Sequence, residues 1–367
     1  MAGIPWGAPN NLHTLVNRRH VGRSDRPATL TRVTPADVTR SDWAECRLHI
    51  VTGKGGTGKT TAAAALALAL ASRGKSVLLC EVEGRQGLAQ LFDVPPLPYE
   101  ERRIAAGPQD GGDVHALAVD LESALLEYLA IYYRLGRAGK ALRSFGVIDF
   151  ATTIAPGVRD VILTGKLYEV VHRNKRTKQA RQYDAVVLDA PPTGRISQFL
   201  NVNSELAGLA KVGPIRNQAD NVMSLLQSGL TAVHLVTVLE DMPVQETADG
   251  IAELRAADLP VGGVLVNLTR RPELDGDERD RAMTGDLDAD HLRADLERVG
   301  VRATRTLLDG LRDEAREHAE RRALEDEQRA RVRALGVPTY ELHRHPDGID
   351  LGALYELAAE LCRQGMA

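Results

Sequence analysis

"RLHIVTGKGGTGKTTAAAALALALASRGKSVLLCEVEG", Arg47–Gly84, sets a run of glycines and two lysines between an apolar stretch and an alanine-rich one. Gly53-Lys54-Gly55-Gly56-Thr57-Gly58-Lys59-Thr60 satisfies G-x-x-x-x-G-K-[ST], with a strand-like run before it and a helix-forming run after it. Backbone N–H groups of such a loop turn inward and meet the positive end of the following helix, which makes a cradle for phosphate oxygens. Side chains would block the phosphates, and glycine removes them. Lys59 is then placed to neutralise the β- and γ-phosphates of a nucleotide. The Thr60 hydroxyl, with Thr61 beside it, heads the helix and is placed to ligate Mg²⁺.

Outward from this stretch, short β-branched or leucine-rich runs recur between helical patterns: LHIVT (48–52), SVLLCEV (76–82), YDAVVLDA (183–190), AVHLVTV (232–238), VGGVLVN (261–267) and PTYEL (338–342). Nearly continuous apolar character predicts burial on both faces, as in a parallel sheet covered by helices. The fold class is therefore α/β, a doubly wound, mostly parallel P-loop NTPase sheet. About a hundred residues separate the second run from the third, where a crossover needs little more than about a dozen. Helical spacing in LESALLEYLAIYYRLGRAGKALRSF and GVRDVILTGKLYEVVHR predicts that an inserted helical subdomain fills about 120–180. Further helices are predicted over about 203–229 and 288–335, the last so dense in Arg, Glu, Asp and Ala that it reads as solvated. Residues 1–45, rich in Pro, Arg, Thr and Asp without periodicity, read as a poorly ordered leader, and 46–367 as one ATPase domain.

Composition narrows the partners. The net charge of −4 gives no basic surplus, so no nucleic acid is expected. Cys46, Cys80 and Cys362 lie far apart and form no C-x-x-C, which argues against a disulfide framework or a thiolate metal site and fits a reducing cytoplasm. The longest uncharged apolar run, Thr60–Ser72, is well short of the ~18 residues of a spanning helix.

A phosphate-binding loop needs a carboxylate from another strand to hold the metal, and YDAVVLDAPPTGR offers Asp189 at a strand's C-terminal end, where ligands of open α/β sheets gather. A turn or helix-cap role is the plain alternative for an Asp there. Lys54 is the distinctive residue. G-K-G-G-x-G-K-[ST] resembles the deviant Walker A class, whose members sandwich nucleotide between two subunits. That resemblance implies a dimer in which Lys54 reaches the partner's nucleotide as a finger supplied in trans. A solvent-facing lysine is the alternative.

GKGGTGKTT, DAPPTGRISQFL (189–200), IAPGVRDVIL (154–163), VTVLEDMPVQETADGIAEL (236–254) and VLVN (264–267) together resemble the arsenical pump ATPase and tail-anchored-protein targeting ATPase family, whose bacterial members are often labelled anion-transporting ATPases. The likeness spans roughly 47–362. It implies ATP and Mg²⁺ as ligands, catalytic roles for Lys54, Lys59 and Asp189, and a hydrogen bond from Asn267 to adenine, although an Asn at a strand end can equally be a turn residue.

Three departures from the family pattern matter. Where members carry an Asp after the second strand to orient the attacking water, this chain reads EVEGRQG and offers Glu83. The extra methylene moves the carboxylate, and a displacement of ~1 Å can cost ~10²-fold in rate. Glu81 is the other candidate on the same side of an extended backbone, or a structural carboxylate. The His that follows PTG is Arg195 here, and neither the arsenite-binding cysteines nor a zinc C-x-x-C is present.

Two functional readings follow. In the first, hydrolysis opens and closes a homodimer or heterodimer whose insertion handles a hydrophobic client or a membrane partner, in the cytoplasm or peripherally at the membrane. Leu125, Leu126, Leu129, Ile131, Tyr132 and Tyr133 are candidate groove residues, or else the insertion's own core. In the second, the chain is a weakly hydrolysing, nucleotide-gated scaffold paired with a related ATPase. A partition-type ATPase or an anion-pump subunit is the remoter alternative, and no basic tail or amphipathic anchor supports partition.

Overall fold

A computed structural model describes residues 43–82, 84, 86–108, 111–133, 158–173, 181–209 and 214–367. Within them the chain divides into two compact units, one of residues 273–322 and the other of residues 43–272 and 323–367.

In chain order the elements begin with β1 (Leu48–Gly53), α1 (Lys59–Ser72), β2 (Val77–Glu81), α2 (Gly87–Leu91), β3 (Arg102–Ala106), β4 (Asp113–Ala118), α3 (Leu121–Tyr133) and α4 (Val158–Val171). They continue with β5 (Ala185–Asp189), α5 (Thr193–Leu209), α6 (Pro214–Leu226), β6 (Thr231–Thr237), α7 (Asp241–Ala256) and β7 (Val261–Thr269). Last come α8 (Gly276–Thr284), α9 (Ala289–Arg298), α10 (Arg305–Ala334), β8 (Thr339–His343) and α11 (Leu351–Arg363). The larger unit is built on an eight-stranded sheet of order β3-β4-β2-β5-β1-β6-β7-β8. Every neighbouring pair is parallel except β3 with β4.

The six predicted strands are all present, and their apolar runs feed two cores because alternate residues leave on opposite faces. Leu78 and Cys80 of β2 join Ile162, Leu167, Phe199 and Leu226 on one side. Val77 and Leu79 join Leu66, Leu70, Leu354 and Leu357 on the other. The alanines of α1 let this helix lie close on the sheet, and it is buried along its length between the strands and α11.

The hundred-residue gap holds more than helices: β3 and β4 occupy its first part, with α3 and α4 after them, while residues 134–157 lie outside the described residues. β3, with Arg102 and Arg103 exposed at the sheet edge, carries no apolar run that would announce a strand. The predicted leader falls outside the described residues up to residue 42; Trp43–Glu45 form a turn, and the Trp43 indole donates to the Tyr340 hydroxyl at 3.0 Å. The smaller unit, α8, α9 and the first part of α10, is dense in local ion pairs such as Arg293–Asp290 and Arg316–Asp313.

Two histidines sit in the middle of the sheet with no exposure, His49 on β1 and His234 on β6. Gly263 N–H donates to His234 Nδ1 at 3.0 Å, so the proton of that ring is on Nε2, which donates to His49 Nδ1 at 3.1 Å. A second proton on either ring would set two donors face to face, and burial already lowers both, His234 to about 3 and His49 well below the ordinary 6.5. Both folded values are depressed, so their contribution is complete above the unfolded value of 6.5 and is lost as pH falls toward 3. Urea midpoints are expected to fall steadily below pH 6.5, each histidine costing up to about 1.4 kcal/mol per pH unit. A flat profile between pH 6.5 and 4 would contradict the neutral pair.

Candidate active site

β1 lies between β5 and β6, where the strand order reverses, and its C-terminal end opens into the loop that α1 closes. A Cβ on Gly53 would come within 2.3 Å of the Val236 carbonyl oxygen, and one on Gly58 within 2.2 Å of Asn267 Nδ2. Gly58 also has φ 83° and caps α1 with no side-chain hydrogen bond, so the first-turn N–H groups of the helix are left for a ligand. The loop is braced from within and from β7: Thr57 Oγ1 donates to the Lys54 carbonyl at 2.8 Å, and Asn267 Nδ2 donates to the Thr57 carbonyl at 2.8 Å. Asn267 is buried, a bracing role that the sequence reading did not include. Asn267→Ala leaves the Thr57 carbonyl without its donor, and is expected to cost about 1–3 kcal/mol of stability and to weaken ATP binding. Denaturant titration with a parallel nucleotide titration checks both effects.

The two lysines differ. Lys59, half-buried at the head of α1, has no hydrogen-bond or ion-pair partner among the described residues. Lys54 Nζ lies 2.6 Å from Glu246 Oε1 of α7, in a pair whose side chains are 34% and 37% exposed.

Thr60 Oγ1 donates to Asp189 Oδ2 at 2.7 Å, so the expected hydroxyl and carboxylate are brought together. Asp189 ends β5 beside Glu81 at the end of β2, its register partner, and both carboxylates are buried. Glu81 Oε1 accepts from Gly87 N–H at 3.0 Å and Oε2 from Leu88 N–H at 3.4 Å. Glu81 thus caps α2, the structural alternative. Glu83 lies outside the described residues. Hydroxyl and carboxylate oxygens beside an uncapped helix start are the hard donors Mg²⁺ favours, so these residues fit that ion. The loop after β5 is tied back by Thr52 Oγ1, which donates to the Pro191 carbonyl at 2.6 Å.

A family model described as anion-transporting ATPase matches residues 46–228. ATPase BagA of Mycobacterium tuberculosis is 53% identical over 320 residues, which cover 87% of this chain and 94% of that protein. The chain belongs to the anion-transporting ATPase family. ATPase GET3 of Kluyveromyces lactis is 26% identical over 255 residues, 60% of this chain and 71% of that protein. The activity class of the present chain is ATP hydrolysis, as the phosphate loop implied.

In the insertion of this ATPase, Leu125 is packed in the core with Ile162, Leu163 and Leu167, because α3 turns that side chain onto α4 and the sheet, which is the own-core alternative for this residue. Leu126 packs at the edge of the same core, and the side chains of Leu129, Ile131, Tyr132 and Tyr133 lie outside the described residues. Burial pushes the thiols of Cys46 and Cys80 up to about 12, which keeps them protonated and poor metal ligands. Among the described residues no helix is long and apolar enough to cross a membrane.

Proposed function

We propose that this ATPase binds Mg-ATP in the Gly53–Thr60 loop and couples hydrolysis to the opening and closing of a dimer that handles a hydrophobic client or engages a membrane partner. The observation that carries the reading is the unequal state of the two lysines. Lys59 stands without a hydrogen-bond or ion-pair partner among the described residues, beside the cradle, suited to the phosphates of its own subunit. Lys54 is held in a part-exposed ion pair with Glu246, which is worth only about 0.2–1 kcal/mol, so a partner's phosphate can displace the carboxylate at little cost.

Thr60 and Asp189 are the residues that would hold Mg²⁺, which when bound bridges phosphate oxygens and neutralises their developing charge. Asn267 would offer its Oδ1 to the adenine amino group, since Nδ2 serves Thr57. Glu83 is the residue proposed to orient the attacking water, because Glu81 is engaged by α2.

Turnover of Mg-ATP by the purified chain, alone and with any related ATPase that co-purifies, tests the proposal. Turnover by the lone chain supports a hydrolysing homodimer, and turnover only after the relative is added supports the paired scaffold. Turnover by a chain that remains monomeric with ATP bound would remove the dimer from the account.

A further inference from the structure

A cavity of about 210 Å³ lies where the ends of β2 and β5 meet the helical insertion. Taking ~30 Å³ per water, it has room for a small hydrated anion. Val82, Leu163 and Phe199 form its apolar side; Arg159 and Asp160 of α4 and Arg195 of α5 supply its charge, with Pro191 at the edge. Its position relative to the phosphate loop follows from the chain. Val82 succeeds Glu81, and Pro191 is two residues beyond Asp189, the carboxylate bonded to Thr60. Val82 and Ala190 pack in the core opposite α1, so the cavity lies across the strand ends from the cradle.

The charged groups are not saturated by one another. Arg159 uses Nη2 to donate to the Val82 carbonyl at 2.8 Å, which leaves most of its fork of donors free. The guanidinium of Arg195 has no hydrogen-bond partner among the described residues. Among the described residues Asp160 is the only acid lining the cavity; burial raises its pKa, against the opposing pull of Arg195 and Arg159. Two guanidiniums facing one carboxylate leave a surplus positive charge, and their planar forks match a tetrahedral oxyanion.

We propose that this cavity receives the orthophosphate produced by hydrolysis, bound by Arg159 and Arg195 in competition with the Asp160 carboxylate, before it leaves the protein. The proposal rests on the placement of ATP in the Gly53–Thr60 loop. Asp160 keeps the stay short by offering the arginines an alternative acceptor. Arg159 holds the last carbonyl of the β2 end and belongs to the insertion, so arrival and departure of phosphate are felt by both.

The test uses the full chain and inorganic phosphate. Calorimetric titration is done in a Lys59→Ala background, which disables the phosphate loop, and repeated with Arg195→Ala or Asp160→Asn added. Arg195→Ala is expected to weaken phosphate binding about tenfold, and Asp160→Asn, isosteric and without the competing charge, to strengthen it by a similar factor. In single turnovers with a fluorescent phosphate sensor and parallel acid quenches, Asp160→Asn is expected to slow phosphate release about tenfold relative to ADP formation. Equal affinities in the three proteins would overturn the site. Altered affinities with release still matching ADP formation would overturn its role for the product and leave a site for oxyanion from solution. If ATP itself does not bind the wild-type chain, the loop assignment fails, and the titration still decides whether the cavity holds phosphate.

Discussion

Lys59→Ala is expected to lower Mg-ATP turnover by about 10²- to 10³-fold, the cost of removing one preorganised charge from a site where negative charge develops. The structure makes this substitution unusually clean. Lys59 has no hydrogen-bond or ion-pair partner among the described residues, so its loss breaks no polar interaction among them, and the denaturation midpoint is expected to stay within about 0.5 kcal/mol of the parent. A coupled phosphate assay and a urea titration on the same preparation read both quantities. Activity within about tenfold of the parent would mean that the nucleotide phosphates lie elsewhere.

Lys54→Ala is expected to have an effect of at least that size on turnover, about 10³-fold, if the lysine acts as a finger across a dimer interface. Its effect on the resting chain is small by comparison. The pair with Glu246 is more than a third exposed on both sides, and such pairs contribute about 0.2–1 kcal/mol after solvent screening. Stability loss therefore cannot account for a thousandfold drop. Affinity for ATP, measured in the absence of turnover, is expected to change by less than about threefold, because each subunit's own cradle and Lys59 are intact. A proportionate loss of affinity would instead make Lys54 a ligand of its own nucleotide.

Much of this site can be read from the sequence because its parts are local. Gly53–Thr60 is one uninterrupted motif, and the strand before it and the helix after it are set by adjacent runs of apolar residues and alanine. Asp189 is legible because a buried strand ends in it, and the structure brings its carboxylate to the Thr60 hydroxyl. What depends on distant contacts is less legible. Nothing in the order of residues says that Asn267 braces the Thr57 carbonyl, or that Lys54 rests on Glu246, 192 positions away. Glu81 could be followed only with α2 in view, since the short run from Gly87 has no strong helical period and gains its cap from that carboxylate.

β3 escaped for a different reason. An edge strand need be apolar on only part of its surface, and the arginines of β3 conceal it. α8, by contrast, carries a signal that was there to be read: Asp275 and Glu278 form a capping box, with each side chain accepting from the other's backbone N–H. The core position of Leu125 lies between these cases. Helical spacing predicts a stripe on α3, but only the packing of α4 and the sheet decides that this part of the stripe faces inward.

The account stands on one lysine serving its own nucleotide and the other serving a neighbour's, and mixing two inactive proteins tests this directly. Lys54→Ala retains Lys59, and Lys59→Ala retains Lys54, so a mixed dimer holds one site with both groups. Equal mixing after exchange of subunits is expected to restore roughly a quarter of parental turnover, half the dimers being mixed with one competent site each. A mixture no more active than its two components, although shown to contain mixed dimers, would contradict action across the interface.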